Sequence, residues 1–261
     1  MIAKEPVKLF WTGGWDSTFR LLQLLVEERK KVQPFYIIDP VRGSTGVEIQ
    51  CMDKLKRVIK EKYPHTNQLF LPTSYVNIES IKSDREISYA FERLKKHVPV
   101  GSQYEWLARF CKQHNYRSVE FALENVAGGM GRTEGSTLFR RFINNNFSDD
   151  PDKLPESQRL IYSTTKILVR YFKFPIIHIH KSEMFTLVKQ NGWMPIMEET
   201  WFCYQPLYVP FRGLTPCGNC ITCSHQVKYG LNWRIPFYVK AFQKTTSFKN
   251  RLAGFRSKKL Y

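Results

Sequence analysis

The sequence predicts an α/β protein built on a parallel sheet covered by helices on both faces, with a small metal-binding module after it. Three observations carry this. Short apolar runs alternate with stretches of helical periodicity from Val7 to about Asn191, the pattern of strand–helix–strand units. The first apolar run ends in Thr-Gly-Gly immediately before a helix start. Four of the six cysteines lie between Cys203 and Cys223, a clustering that suggests a metal site in preference to a disulfide framework.

Taken in order, Val7 to Trp11 reads as a short buried strand, and Ser17 to Arg29 as a helix with Leu21, Leu22, Leu25 and Val26 on its apolar face. "QPFYII" at Gln33 to Ile38 is a second strand ending at Asp39-Pro40, Val47 to Tyr63 is helical, and Gln68 to Leu71 makes a third strand. Tyr104 to His114 is helical, "SVEFAL" at Ser118 to Leu123 is a fourth strand, and Ser157 to Phe172 a further helix. "FPIIHIH", Phe174 to His180, reads as the last strand, and Ser182 opens a helix that stops at Asn191-Gly192. After Gly192 prolines, aromatics and cysteines replace periodic apolar residues. The expected division is therefore 1–193 for the α/β domain, 194–229 for the cysteine module and 230–261 for a basic, aromatic C-terminal extension.

A chain of 261 residues that is 43% hydrophobic is long enough for a substantial core. No apolar run reaches the roughly 18 residues of a membrane helix, and "MIAKEPVK" does not read as a signal peptide, so the expectation is a cytoplasmic protein without a membrane span. The formal charge is +17, and from Thr200 to Tyr261 there are ten Lys or Arg and no Asp or Glu. Four thiolates on a divalent ion return only about two negative charges. The extension interleaves Trp233, Phe237, Tyr238, Phe242, Phe248 and Phe255 with its basic residues. Such a segment can bind nucleic acid, dock on an acidic protein, or pack its rings on the main domain.

In "KLFWTGGWDSTFRLL", Lys8 to Leu22, Gly13 and Gly14 let backbone approach a ligand, and the following helix start offers free N–H groups that suit phosphate. Ser17 and Thr18 can add hydroxyls, and Asp16 can cap the helix or sit on the magnesium side of a nucleotide. The same residues also suit a tight, unliganded turn. Cys203, Cys217, Cys220 and Cys223 have thirteen, two and two residues between them, a closed set for one structural Zn²⁺. The double Cys-x-x-Cys leaves an iron–sulfur cluster as the competing reading.

The Thr12-Gly13-Gly14-Trp15-Asp16-Ser17 stretch resembles the PP-loop of ATP pyrophosphatases, with Thr12 in place of the usual serine. Together with "FPIIHIHKSEM", "ETWFCY" and "PCGNCITC" it is similar to the 7-cyano-7-deazaguanine synthases of the queuosine pathway. That resemblance implies an adenine-nucleotide alpha-hydrolase-like (HUP, Rossmann-like) domain binding ATP and Mg²⁺ through Thr12, Gly13, Gly14, Asp16, Ser17 and Thr18. It implies a phosphate contact from Lys181 and four-cysteine zinc ligation. The implied reaction is adenylation of a deazapurine carboxylate, then attack by a nitrogen nucleophile to give amide and nitrile. Taken alone, Lys181 reads as a solvated lysine at a strand end. Asp39, Arg42 and Glu48 stand loosely where the family carries a Gly-Gln-x-His segment and a later Glu, and Arg42 can pair with phosphate or carboxylate.

The family's middle Asp-x-Ser-Gly-Tyr-Pro-Asp-Cys-Arg-type segment is absent. In its place stands "ENVAGGMGRTEGSTLFRRF", Glu124 to Phe142, whose Gly128, Gly129, Gly131 and Gly135 read as a second ligand loop, with Glu124 or Glu134 facing a guanine-like edge, or as a surface loop. Three alternatives follow: conjugation of the activated acid to an amine of a partner protein or nucleic acid in a modification or defence system, a PP-loop tRNA-modifying thiolase, and a nucleotide-binding subunit without catalysis.

Overall fold

The computed structural model describes residues 5–123 and 133–239. Strands β1 (Val7–Phe10), β2 (Val32–Ile38), β3 (Ser74–Asn77), β4 (Val119–Phe121) and β5 (Phe172–Lys173) form one sheet in the order β3-β2-β1-β4-β5. Every pairing in it is parallel. The helices are α1 (Trp15–Leu22), extended by a π-helical turn at Gln23–Glu27, α2 (Thr45–Lys62), α3 (Arg85–Leu94), α4 (Gln103–Gln113), α5 (Glu134–Asn144), α6 (Glu156–Val169), α7 (Lys181–Gln190), α8 (Met194–Met197) and α9 (Ile221–Lys228). A separate antiparallel hairpin, β6 (Leu207–Val209) and β7 (Gly213–Thr215), precedes α9.

The two-residue period of β1 and β2 divides the core. Leu9, Trp11 and Tyr36 point into one cluster with Phe19, Leu22, Leu55 and Trp193 from the α1, α2 and α7–α8 side. Phe10, Phe35 and Ile37 point into the other, with Phe91, Phe110, Phe139 and Leu168 from α3 to α6. Strands buried on both faces read as continuous apolar runs because helices cover both faces. Trp193, Ile196 and Met197 still belong to the first cluster. Cys203, Cys217, Cys223, Ile235 and Val239 begin a third, small core.

Two strands lie elsewhere than their apolar runs suggest, for the same reason. The Gln68 to Leu71 run makes a single bridge, Val32 to Phe70, and ladder pairing begins only at Ser74, beyond Pro72. "FPIIHIH" is not a strand: pairing ends at Lys173, and Pro175 is followed by turns closed by Ile177 N–H to Phe174 O (3.3 Å) and Ile179 N–H to Ile176 O (3.0 Å). Proline has no N–H to give a ladder. Ile176 and Ile177 are nonetheless buried, so the run reports burial and not pairing.

The expected glycine loop is in part a helix. Glu134 and Gly135 open α5, capped by Thr133, whose hydroxyl accepts from Ser136 N–H at 3.2 Å. A Cβ on Gly135 would lie 2.2 Å from the His97 carbonyl oxygen, so this glycine serves close helix-to-backbone packing and not a ligand. Glu124, Gly128, Gly129 and Gly131 lie outside the described residues, as do Phe242, Phe248 and Phe255 of the extension. No helix among the described residues is long and apolar enough to cross a membrane.

Gly135→Ala is expected to destabilise the protein by about 1–3 kcal/mol, the usual cost of overpacking. Urea denaturation compared with Ser136→Ala checks this; an unchanged midpoint would show that α5 can move off His97.

Candidate active site and metal centre

In an open parallel sheet ligands bind outside the carboxyl ends of the strands, where the chain order switches direction. Here that point lies between β1 and β4, and the loop leaving β1 carries Thr12 to Ser17. Gly13 has φ +68°, and a Cβ there would sit 2.9 Å from Met52 Cγ and 3.3 Å from Cys51 Sγ. Only glycine meets both demands. The Gly13 carbonyl accepts from Trp201 N–H at 3.0 Å, which ties the loop to the segment entering the cysteine module.

Gly14 occupies the N-cap of α1 and supplies no side-chain cap. Ser17 Oγ lies 3.3 Å from the Gly14 carbonyl and 3.4 Å from both Thr12 N and Thr12 Oγ1. The result is a short, hydroxyl-rich turn at the positive end of a helix, suited to an anion. Asp16 forms an ion pair with Lys181, the first residue of α7, bringing two residues far apart in sequence to one point.

A cavity of about 250 Å³ opens on this turn, lined by Thr12, Gly14, Asp16, Ser17, Arg42 and Lys181 among the expected residues. Three expected residues do not line it: Gly13, which shapes the turn behind it, and two that lie elsewhere. Thr18 is fully buried and its hydroxyl accepts from Trp11 Nε1 at 3.1 Å. Asp39 shapes a turn, its carboxylate accepting from Val41 N–H at 3.1 Å and its carbonyl from Thr45 Oγ1 at 2.7 Å; neither residue lines the cavity.

Arg42 is held by its surroundings: it bonds Glu48 Oε1 at 2.7 Å and Ser44 Oγ at 2.9 Å, and it lies over the Tyr204 ring. Glu48 also accepts from Tyr36 OH at 2.9 Å and from Ser44 Oγ at 2.7 Å. Burial, then the neighbouring Glu48 charge, pushes the Tyr36 phenol up. Beneath the site Arg20 grips Glu120 through two bonds, 2.7 and 3.0 Å, a bidentate pair that locks α1 to β4.

The other walls were not picked out as site residues. An apolar wall comes from Phe10, Phe35, Phe121 and, on α4, Trp106 and Leu107. The facing wall is α9, which presents Thr222, His225 and Gln226 with Tyr229 following it. Their i, i+3, i+4, i+7 spacing is a helical stripe readable in the sequence. Burial, then Lys228 and Lys181, pull the His225 imidazole down. Arg234 braces this wall: it donates to Thr200 Oγ1 (2.7 Å), the Thr200 carbonyl and Gln226 Oε1 (3.1 Å), and its guanidinium lies 4.7 Å from the Phe202 ring and 5.3 Å from that of Trp15. Burial pulls it down to about 10.

The four cysteine sulfurs all lie within 4.8 Å of one another. Cys203–Cys220 and Cys217–Cys223 are 3.8 Å apart, and Cys220–Cys223 is 3.4 Å. A tetrahedral ion with metal–sulfur bonds of about 2.3 Å separates its ligands by about 3.8 Å, whereas a disulfide requires about 2.05 Å. The set can therefore hold a metal ion such as zinc. Main-chain N–H groups already point at the sulfurs, from Cys217 to Cys203 (3.1 Å), Gly218 to Cys223 (3.3 Å) and Cys220 to Cys217 (3.3 Å), as a thiolate shell requires. The Cys223 thiol, then the Cys217 N–H, hold the Cys203 thiol down at about 5.

No protein-family model matches the chain, and no curated protein matches it. Fold and site define an α/β protein with a parallel five-stranded sheet and a four-cysteine centre able to hold a metal ion.

Cys223 lies on the helix that walls the cavity, so metal and cavity are coupled. Purified protein is expected to carry about one zinc per chain. Cys223→Ser should lower this at least tenfold, measured by elemental analysis. Iron with sulfide in the preparation would point instead to a cluster.

Proposed function

We propose that the chain is an ATP-dependent, AMP- and pyrophosphate-forming enzyme of the PP-loop type that activates a carboxylate, 7-carboxy-7-deazaguanine or a close relative, for attack by a nitrogen nucleophile. The observation that carries this reading is the convergence of the Gly13-Gly14 turn, Ser17, Asp16 and Lys181 at the mouth of one cavity at the sheet's switch point. A simple structural turn has no use for a lysine delivered by α7. The apolar wall from Phe10 to Trp106 suits a purine ring.

In this reading the phosphates lie on the free N–H groups of α1, with the hydroxyls of Thr12 and Ser17 alongside. Lys181 exchanges Asp16 for phosphate charge, and Asp16 is then available to Mg²⁺, which would neutralise the pyrophosphate as it departs. The substrate carboxylate oxygen attacks the α-phosphorus and the bond to pyrophosphate breaks. The amine nitrogen next bonds the acyl carbon, the bond to AMP breaks, and a proton leaves the nitrogen. The zinc has no open position and acts by holding α9 in place.

A second reading keeps the activation and takes the amine from a partner protein. It is supported by the cysteine module's surface: among the described residues, eight of the eleven exposed large hydrophobic side chains fall between Tyr204 and Phe237, Phe211 being fully exposed at φ +62°. The segment from Thr200 onward also has no carboxylate, which suits an acidic partner. A mass increase on that partner, absent when ammonia outcompetes it, separates the two readings.

Zinc-loaded protein with ATP, Mg²⁺ and 7-carboxy-7-deazaguanine is expected to catalyse acid-dependent exchange of labelled pyrophosphate into ATP. Ser17→Ala and Asp16→Ala should each reduce exchange by about 10²-fold or more, the usual scale for one preorganised group. Exchange that is absent, or that ignores the acid, rejects the reading.

A further inference from the structure

We propose that a second cavity beside the cleft is the acid-binding site, taking a planar aromatic carboxylate with its ring against Trp15, Phe185 and Tyr229 and its carboxylate toward Lys228. This assignment of the substrate class rests on the adenylation reading above. The cavity measures about 390 Å³ and lies between the head of α1, the start of α7 and the end of α9. It shares Trp15, Lys181 and Tyr229 with the cleft, so a ligand seated in it borders the phosphate-binding turn. The size is that of a small-molecule site, and an apolar lining with a few polar groups is the usual composition.

Two aromatic residues of its wall are nearly parallel. The rings of Trp15 and Phe185 stack with an interplanar angle of 19° and centroids 6.2 Å apart, and buried Leu231 closes the floor. A flat ring extends such a stack, whereas a branched aliphatic acid does not. The polar lining is Lys181, Ser182 and Lys228, and no carboxylate lines the cavity. A cation is thus excluded and an anion favoured.

Three features mark the anion as a ligand still to come. Lys228 lies 5.8 Å from the Tyr229 ring and forms no ion pair among the described residues. Helix α7 starts at Lys181 and Ser182 without a side-chain cap, which suits a carboxylate. Trp15 is 95% buried, and its Nε1 donor has no hydrogen-bond partner among the described residues, a costly state for a buried donor. A polyphosphate is the poorer fit, because the walls are mainly apolar and the hydroxyl-rich turn lies on the cleft side.

Calorimetry on the full-length, zinc-loaded protein without ATP tests the assignment, with 7-carboxy-7-deazaguanine and indole-3-carboxylate as probes and indole-3-carboxamide as the uncharged control. Lys228→Met is expected to raise Kd for both acids about tenfold and leave ATP binding unchanged, and Lys228→Arg to restore it. Phe185→Ser should weaken acids and carboxamide alike. Acid affinity unchanged in both variants, or displacement of the acid by ATP, overturns the site. Pyrophosphate exchange whose KM for the acid is unaltered in both variants keeps the reading and removes the site. Acid binding that the variants abolish, in a protein that shows no acid-dependent exchange, keeps the site and removes the reading.

Discussion

The left-handed turn at Gly13 is the constraint on which the site depends. A side chain there would strike Met52 and Cys51 of α2, and the turn is what aims the Gly13 carbonyl at the Trp201 amide. Three parts of the molecule therefore meet at one residue: the end of β1, the inner face of α2 and the segment leading into the cysteine module. Cys51 reinforces the junction, its thiol reaching the Glu199 carbonyl at 3.1 Å while burial pushes it up to about 12. It acts there as a neutral packing group and weak donor, not as a nucleophile.

Charge in the site divides into two settings. Arg20 with Glu120 is a buried pair, and the half-buried Arg42 holds the buried Glu48; each carboxylate has a matched donor set. Removing one partner of such a pair strands the other, which keeps it committed to structure. Asp16 and Lys181 also line the cavity but differ in their setting: their ion pair joins the head of α1 to the start of α7, and among the described residues Asp16 lacks the several donors that hold Glu48. Arg234 is a buried cation bonded to carbonyl, hydroxyl and amide oxygens and faced by two aromatic rings. It lends positive potential behind Trp15 without contacting the cavity.

The strand–turn–helix unit and the four cysteines were legible because their signals are local: an apolar run, two glycines, a helix start, and fixed thiol spacing. The Gln68 to Leu71 and Phe174 to His180 runs were misplaced as strands beside Pro72 and Pro175, because hydrophobicity reports burial while pairing requires an N–H; Pro34 is tolerated within β2. Helix α3 was passed over in the sequence although Ile87, Ala90, Phe91 and Leu94, all buried, carry helical spacing, and α5 was hidden by Gly135, whose role lies in its contact with His97. The walls of the cavity were the least legible part. Trp106 reaches the site from α4, and His225 and Gln226 from a helix whose sequence is dominated by the metal pattern, so only the tertiary arrangement brings them together.

The pairings that complete the cavity span most of the chain. Asp16 meets Lys181 across 165 positions, and Cys51 meets Glu199 across 148. Contacts of such separation form late, and a chain emerging from the ribosome folds its N-terminal part first. The sheet and the glycine turn after β1 thus exist, with their hydroxyls and helix end exposed, well before the cysteine segment is available to wall them in. A chain stopped short of residue 200 would retain most of the two large cores and lack a closed cavity, which makes the segment beyond residue 200 the part that closes it.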